Sequence, residues 1–165
     1  MRGTMDHDNY PDSYIEGILE EAKSFALVGA SANTVRPSYF VLKYLLAKGY
    51  RVFPVNPGLT GGEILGQKVF ASVAALEEPV DVVDVFRNPE AAGPVTDEAI
   101  AKGARVVWMQ LSVRNDAAAA RATAAGLTVV MDRCMKIEYG RLFGELAWAG
   151  VNTGVISARR PRTLP

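Results

Sequence analysis

Apolar positions along the chain fall into short continuous runs, and these alternate with stretches of helical period. Phe25-Ala26-Leu27-Val28 is apolar without alternation, which predicts a strand buried on both faces. Gly29 ends that run, a polar loop follows from Ala30 to Arg36, and Pro37 suits the first turn of a helix, where its missing N–H costs nothing. Tyr39, Leu42 and Leu46, with Val41 and Leu45 beside them, give this helix an apolar side, and Lys48-Gly49 supplies its stop. Upstream, a short helix is expected over 12–23, capped by Asp12 or Ser13, with Ile15, Ile18 and Leu19 as its stripe.

The same reading continues downstream. A second strand spans 51–55, followed by a Gly- and Pro-loaded segment over 56–62 that is too irregular for an element. A brief edge piece is expected at 68–70, and Ser72 is placed to cap a short helix over 73–76. The third strand is 80–86, with Asp81 and Asp84 on opposite faces because three residues separate them in a period of two. A carboxylate facing the inside of a parallel sheet needs a partner, so Asp84 is expected to meet a backbone donor or to lie near a site. A helix over 94–102 stops at Gly103, and the fourth strand is 104–109. Asn115 or Asp116 caps an alanine-rich helix that ends at Gly126, the fifth strand is 127–131, and a last helix spans 135–148.

Five strands alternating with helices specify an α/β fold, a Rossmann-like three-layer sandwich on a five-stranded, mainly parallel sheet. Right-handed crossovers leave two strand orders: 3-2-1-4-5, which we expect, and the flavodoxin-like 2-1-3-4-5. The domain is expected over 12–150, between a flexible leader at 1–11 and a basic tail at 151–165 that carries Arg159, Arg160 and Arg162.

Composition narrows the classes. With 18 basic and 18 acidic residues the formal charge is zero, which argues against nucleic acid as a partner. No apolar run approaches the roughly 18 residues of a membrane span, so no membrane partner is expected. The single cysteine excludes an internal disulfide and fits a reducing, cytoplasmic setting. The single histidine, His7, lies in the leader, so no Ser-His-Asp or Cys-His arrangement can form in the core. The phosphate loop of nucleotide hydrolases is absent, and no metal site is expected. A binding module fits these residues better than an enzyme, and no catalytic residue is assigned.

In open parallel sheets the ligand lies beyond the carboxyl ends of the strands. Those ends deliver Gly29, Ala30 and Ser31 with Arg36 after the first strand, Asn56-Pro57 after the second and Arg87-Asn88 after the third. The fourth delivers Gln110, and the fifth Arg133-Cys134. Three arginines at one edge, beside a helix N-terminus, form an edge suited to a polyanion. The dinucleotide fingerprint fails twice. Ser31 and Thr34 replace its later glycines, and Asn56 stands where a ribose-binding carboxylate belongs. Cys134 precedes a helix and follows a cation, a setting that lowers a thiol pKa, although a free cysteine is also a common core residue.

Several blocks together resemble the coenzyme A-binding protein family, small single-domain relatives of the CoA-binding Rossmann domain of the succinyl-CoA synthetase alpha subunit. They are GASANTVRPSYFVLKYL (29–45), GYRVFPVNP (49–57), VDVVDVFRNPE (80–90), AIAKGARVVWMQLSV (99–113) and AGLTVVMDRCMKIEYGRL (125–142). The resemblance implies that Gly29, Ala30, Ser31, Arg36, Pro37 and Ser38 hold phosphate. It implies further that Val55, Asn56 and Pro57 lie against the adenosine portion, and that Phe86, Arg87 and Asn88 line the pantetheine or phosphate path. Gln110, Arg133 and Cys134 are placed near the site from strand topology alone. The synthetase's phosphorylated histidine and second half have no counterpart, so ligase catalysis is not implied. The expected function is non-catalytic binding of CoA or an acyl-CoA at the carboxyl edge, with self-association into a homodimer left open. A mixed disulfide between Cys134 and the CoA thiol is a further expectation under oxidising conditions. The alternatives are an NAD(P)-binding oxidoreductase or redox sensor, and a regulatory interaction subunit with a vestigial nucleotide pocket.

Overall fold

Parallel pairing dominates the sheet. In the computed structural model, which describes residues 5–143, β1 (Ser24–Val28) lies between β2 (Arg51–Val55) and β5 (Val82–Val85). β6 (Val106–Met109) and β7 (Thr128–Val130) continue the sheet beyond β5, giving the order β2-β1-β5-β6-β7 with every pairing parallel. In sheet-strand count this is 2-1-3-4-5. The α/β sandwich and five-strand sheet stand as expected, and the strand order is corrected to the flavodoxin-like one. The physical reason is that β5 pairs directly with β1, where the expected order keeps the third strand outside the second.

Helices cover both faces. α1 (Asp12–Glu21), α2 (Pro37–Ala47) and α5 (Met135–Leu142) bury Ile15, Leu19, Val41, Leu42, Leu45 and Met135 against Phe25, Leu27, Val82, Trp108 and Val130. α3 (Pro89–Lys102) and α4 (Asp116–Ala124) bury Ala92, Val95, Ala99, Ala118 and Ala122 against Ala26, Val28, Val83, Val107 and Met109. The near-continuous apolar strands are thus explained by a core on each side.

Local differences from the sequence reading have local causes. α3 begins at Pro89, well before the expected 94, because Pro89 occupies the first helical position and Asn88 Oδ1 accepts from Ala91 N at 2.8 Å. Pro94 then sits inside the helix, near enough to its start that only the bond to the Glu90 carbonyl is lost. The expected helix over 73–76 is a turn, although Ser72 Oγ accepts from Ala75 N at 3.1 Å as a cap would. The edge piece is a hairpin of β3 (Glu63–Ile64) and β4 (Gln67–Lys68), after which Phe70 bridges to Val55. α1 starts after Pro11 with no side-chain cap. The described part of the expected leader lies against the domain, with Tyr10 buried. The continuation of the last helix toward 148 and the basic tail lie outside the described residues.

The β1–β5 junction is fastened at its amino end. Asp81 Oδ2 accepts from the backbone N–H groups of Lys23 and Ser24 at 2.8 and 3.3 Å, and Asp81 N donates to Ser24 Oγ at 3.0 Å. Among the described residues no helix is long and apolar enough to cross a membrane.

Candidate functional site

The chain leaves β1 toward β2 on one side and returns through β5 on the other, so the loops after β1 and β5 diverge at the topological switch point. Gly29 sits where they part. Its φ is +94°, and a Cβ there would lie 2.6 Å from the Phe86 carbonyl oxygen and 3.2 Å from Arg87 Cδ. Only glycine permits both the left-handed backbone and this approach. Gly29 N and Ala30 N donate to Val55 O at 2.9 and 3.3 Å, and Phe86 N donates to Val28 O at 2.8 Å. Three strand ends are therefore tied into one backbone platform.

Asn56 locks that platform. Its Nδ2 donates to Ala30 O at 2.8 Å, and its Oδ1 accepts from Gly58 N at 2.9 Å. The loop after β1 is ordered by its own side chains: Ser31 Oγ accepts from Asn33 N at 3.0 Å, and Asn33 Oδ1 accepts from Val35 N at 3.1 Å. α2 then begins at Pro37 with no side-chain cap, whereas α3 and α4 are capped by Asn88 and Asn115. The first turn of α2 carries no acidic residue. An uncapped N-terminus with its dipole open to solvent favours an anion.

The structure sorts the expected residues. Gly29, Ala30, Ser31, Asn56, Phe86 and Arg87 come together at the switch point. Arg36 and Arg87 are exposed, and among the described residues their guanidinium groups have no hydrogen-bond or ion-pair partner. Arg133 differs. It donates to Asp132 O at 2.8 Å and Asp8 O at 3.1 Å, and its guanidinium lies 5.1 Å from the Tyr10 ring centre. It serves the packing of residues 5–10. The Val55 side chain is core, so this residue offers the site only its carbonyl. Asn88 spends its side-chain oxygen on capping α3, Pro57 opens a 3-10 turn at the surface, and Ser38 is buried in α2.

Beneath the edge, on the α2 and α5 side, lies a buried polar pair. Asp84 stands in register with Leu27 and Trp108, fully buried, and its Oδ1 accepts from Gln110 Nε2 at 2.6 Å. Its donor is thus a side chain rather than the backbone. Asp84 Oδ2 has no partner among the described residues. Burial pushes the Asp84 pKa up to about 8, outweighing the opposing pull of the Gln110 hydrogen bond. Cys134 forms the N-cap of α5, and burial raises its thiol pKa against the pull of the Ile137 and Lys136 amides. The lowered value read from its helix-start position is therefore corrected: desolvation outweighs the helix terminus.

The sequence reading missed two apolar side chains beside this edge. Val35 is 73% exposed and Phe40 is 49% exposed, flanking the start of α2. An apolar residue inside an otherwise polar loop was the available signal for Val35. At the opposite edge a groove of about 640 Å³ opens between Tyr14, Gly17, Arg105 and Gly126, away from the strand-end chemistry. Among the described residues no group of His, Cys, Asp and Glu side chains could hold a metal ion.

Comparison with known proteins places this geometry among relatives. The CoA binding domain family matches residues 23–140. The uncharacterized protein YneT of Bacillus subtilis (strain 168) is 37% identical over 125 residues, covering 76% of this chain and 91% of YneT. The alpha subunit of the ADP-forming acetate–CoA ligase I of Pyrococcus furiosus is 35% identical over 95 residues, 54% of this chain and 20% of that subunit. A solved structure of a hypothetical protein from Pyrococcus horikoshii OT3 superposes with a TM-score of 0.80 at 42% identity, covering 87% of this chain and all of that one.

Two outcomes are expected from this geometry. Native Asp84 retains a proton between its unfolded pKa near 4 and its folded value near 8, where the unfolded chain releases it. Stability therefore falls as pH rises through that window, by roughly 1.4 kcal/mol per pH unit from this group. Asp84→Asn should remove that slope and melt above the wild type at pH 8; an unchanged slope in thermal melts from pH 5 to 9 contradicts the assignment. Gly29→Ala should destabilise the fold by about 2 kcal/mol or more, read as a lower denaturation midpoint, because the methyl group meets backbone rather than a movable side chain.

Proposed function

The chain belongs to the CoA binding domain family, and from that premise we propose that it binds coenzyme A or an acyl-CoA, without catalysis, at the carboxyl edge of its sheet. The observation that carries this reading is the pair of uncommitted guanidinium groups, Arg36 and Arg87, beside the uncapped α2 N-terminus and the Gly29 platform. Phosphate oxygens would accept from both arginines, with the positive end of the α2 dipole favouring their charge. The exposed Val35 and Phe40 side chains would give the apolar portions of the ligand a surface beside those phosphates. Phe86, at the end of β5, would flank the pantetheine path. Arg133 is left out of this set because residues 5–10 already occupy it.

The absence of a carboxylate at the end of β2 supports CoA over a dinucleotide. Asn56 stands there, and both ends of its amide hold loop backbone. The CoA phosphates number three, against two in NAD, and each of the two uncommitted guanidinium groups can meet more than one phosphate oxygen.

In a thermal-shift titration CoA should raise the melting temperature more than NAD or NADP at equal concentration, by mass action on the native state. Equal or greater stabilisation by NAD would overturn the proposal. Arg36→Ala should weaken CoA binding about tenfold to hundredfold, the loss of one charge-assisted hydrogen bond. Because Arg36 is exposed and unbonded, the same variant should melt like the wild type without ligand. Calorimetric titration paired with a melt of the unliganded variant separates the two effects.

A further inference from the structure

A carboxyl oxygen buried without a hydrogen bond is costly and calls for a reason. Asp84 Oδ2 is in that position among the described residues, because Gln110 Nε2 engages only Oδ1. The side chain stands level with Leu27 and Trp108, on the α2 and α5 side of the sheet. Cys134 arrives on the same side. Trp108 Nε1 donates to Arg133 O at 2.9 Å and Arg133 N donates to Met109 O at 3.3 Å, so the chain reaches Cys134 directly over the end of β6. Cys134 is half-buried, packs with Phe86 against this core, and is near enough to Asp84 for the carboxyl to raise its thiol pKa.

The thiol also adjoins the edge assigned to the ligand. Lys136 Nζ, at the start of α5, lies 5.8 Å from the ring centre of Phe40, in the first turn of α2. The two helix starts are therefore neighbours, with Arg36 immediately before one and Cys134 immediately before the other. A carboxyl that titrates at about 8 is suited to take the proton of a thiol, whose usual pKa is about 8.5. Acyl transfer would further require donors for the oxyanion it builds, and Gln110 Nε2 is already given to Asp84. Attack on a disulfide builds no oxyanion. With one cysteine in the chain, no second thiol can displace what Cys134 captures.

Given the CoA reading above, on which this rests, we propose that Cys134 is a modification site for the disulfide form of CoA, with Asp84 as its proton acceptor. The step is thiol–disulfide exchange. The Cys134 proton passes to Asp84 Oδ2, Sγ attacks one sulfur of the disulfide, and the S–S bond breaks as the new one forms. Cys134 is oxidised, the displaced CoA sulfur leaves with the electron pair, and Asp84 returns the proton to it.

Intact-mass spectrometry after incubation with CoA disulfide, or with glutathione disulfide, tests the site. The wild type should gain one CoA-sized adduct, lost on treatment with dithiothreitol and absent from Cys134→Ser. That adduct should form about tenfold to hundredfold faster than the glutathione adduct, and Arg36→Ala should erase the advantage, since it removes a charge-assisted hydrogen bond to the nucleotide. At pH 8, Asp84→Asn should react roughly a hundredfold more slowly, the loss of a positioned proton acceptor. A carboxylate acting only as a neighbouring charge gives the opposite sign, because its removal eases thiolate formation. Asp84 and Lys136 are the ionisable groups that act on this sulfur, and Lys136 is kept in every variant. Cys134→Ala and Asp84→Ala stand in for any variant whose melt shows it unfolded. Calorimetric binding of CoA without the adduct overturns the modification site and leaves the binding reading intact. Absence of CoA binding, with equal rates for the two disulfides, overturns both. A faster Asp84→Asn variant overturns the role given to Asp84.

Discussion

One close approach governs the carboxyl edge: the Phe86 carbonyl comes so near Gly29 that no side chain fits between them. This contact lets β5 lie directly beside β1 right up to the point where their loops part. From it follow the corrected strand order, the joining of Val55, Gly29 and Phe86 into one platform, and the position of Arg87 next to the loop after β1. Asn56 secures the third strand end to the same platform through a side chain that bonds two loops at once.

Much of the architecture was legible because buried parallel strands announce themselves as unbroken apolar runs. Phe25-Ala26-Leu27-Val28 and Val106-Val107-Trp108-Met109 face a core on each side, and runs this short, bounded by turn residues, suit a strand better than a helix. The strand order was not legible, since both candidate orders satisfy the same alternation and the same handedness. What distinguishes them is a contact 57 residues apart in sequence, Gly29 with Phe86, whose glycine is explained equally well by the turn alone. The start of α3 was hidden by prolines that usually end helices and here begin one and survive inside it.

At the site, chain order revealed which residues stand at the strand ends and concealed what each one does there. Arg36, Arg87 and Arg133 look equivalent as strand-end cations. In the folded protein two remain open to solvent and the third is bonded to Asp8 and stacked on Tyr10. The difference comes from residues 5–10, whose polar composition suggested a loose segment while a single aromatic residue supplied its anchor. Asp84 was suspect from its position in a buried strand, yet its partner, Gln110, lies just past the end of the neighbouring strand β6, and only their placement side by side reveals the pair.

The fastening of β1 to β5 at both ends carries a kinetic meaning. Asp81 pins the amino end to Lys23 and Ser24, and the Gly29 contact closes the carboxyl end, so the floor of the switch point has little freedom to hinge. On the proposed function, an anion arriving there would meet a backbone already in place, and only exposed side chains such as Arg36 and Arg87 would need to swing. Encounter with such a floor would be limited by diffusion and charge attraction rather than by backbone rearrangement. The ionic strength of the medium, more than the flexibility of the chain, would then set how fast the edge is occupied.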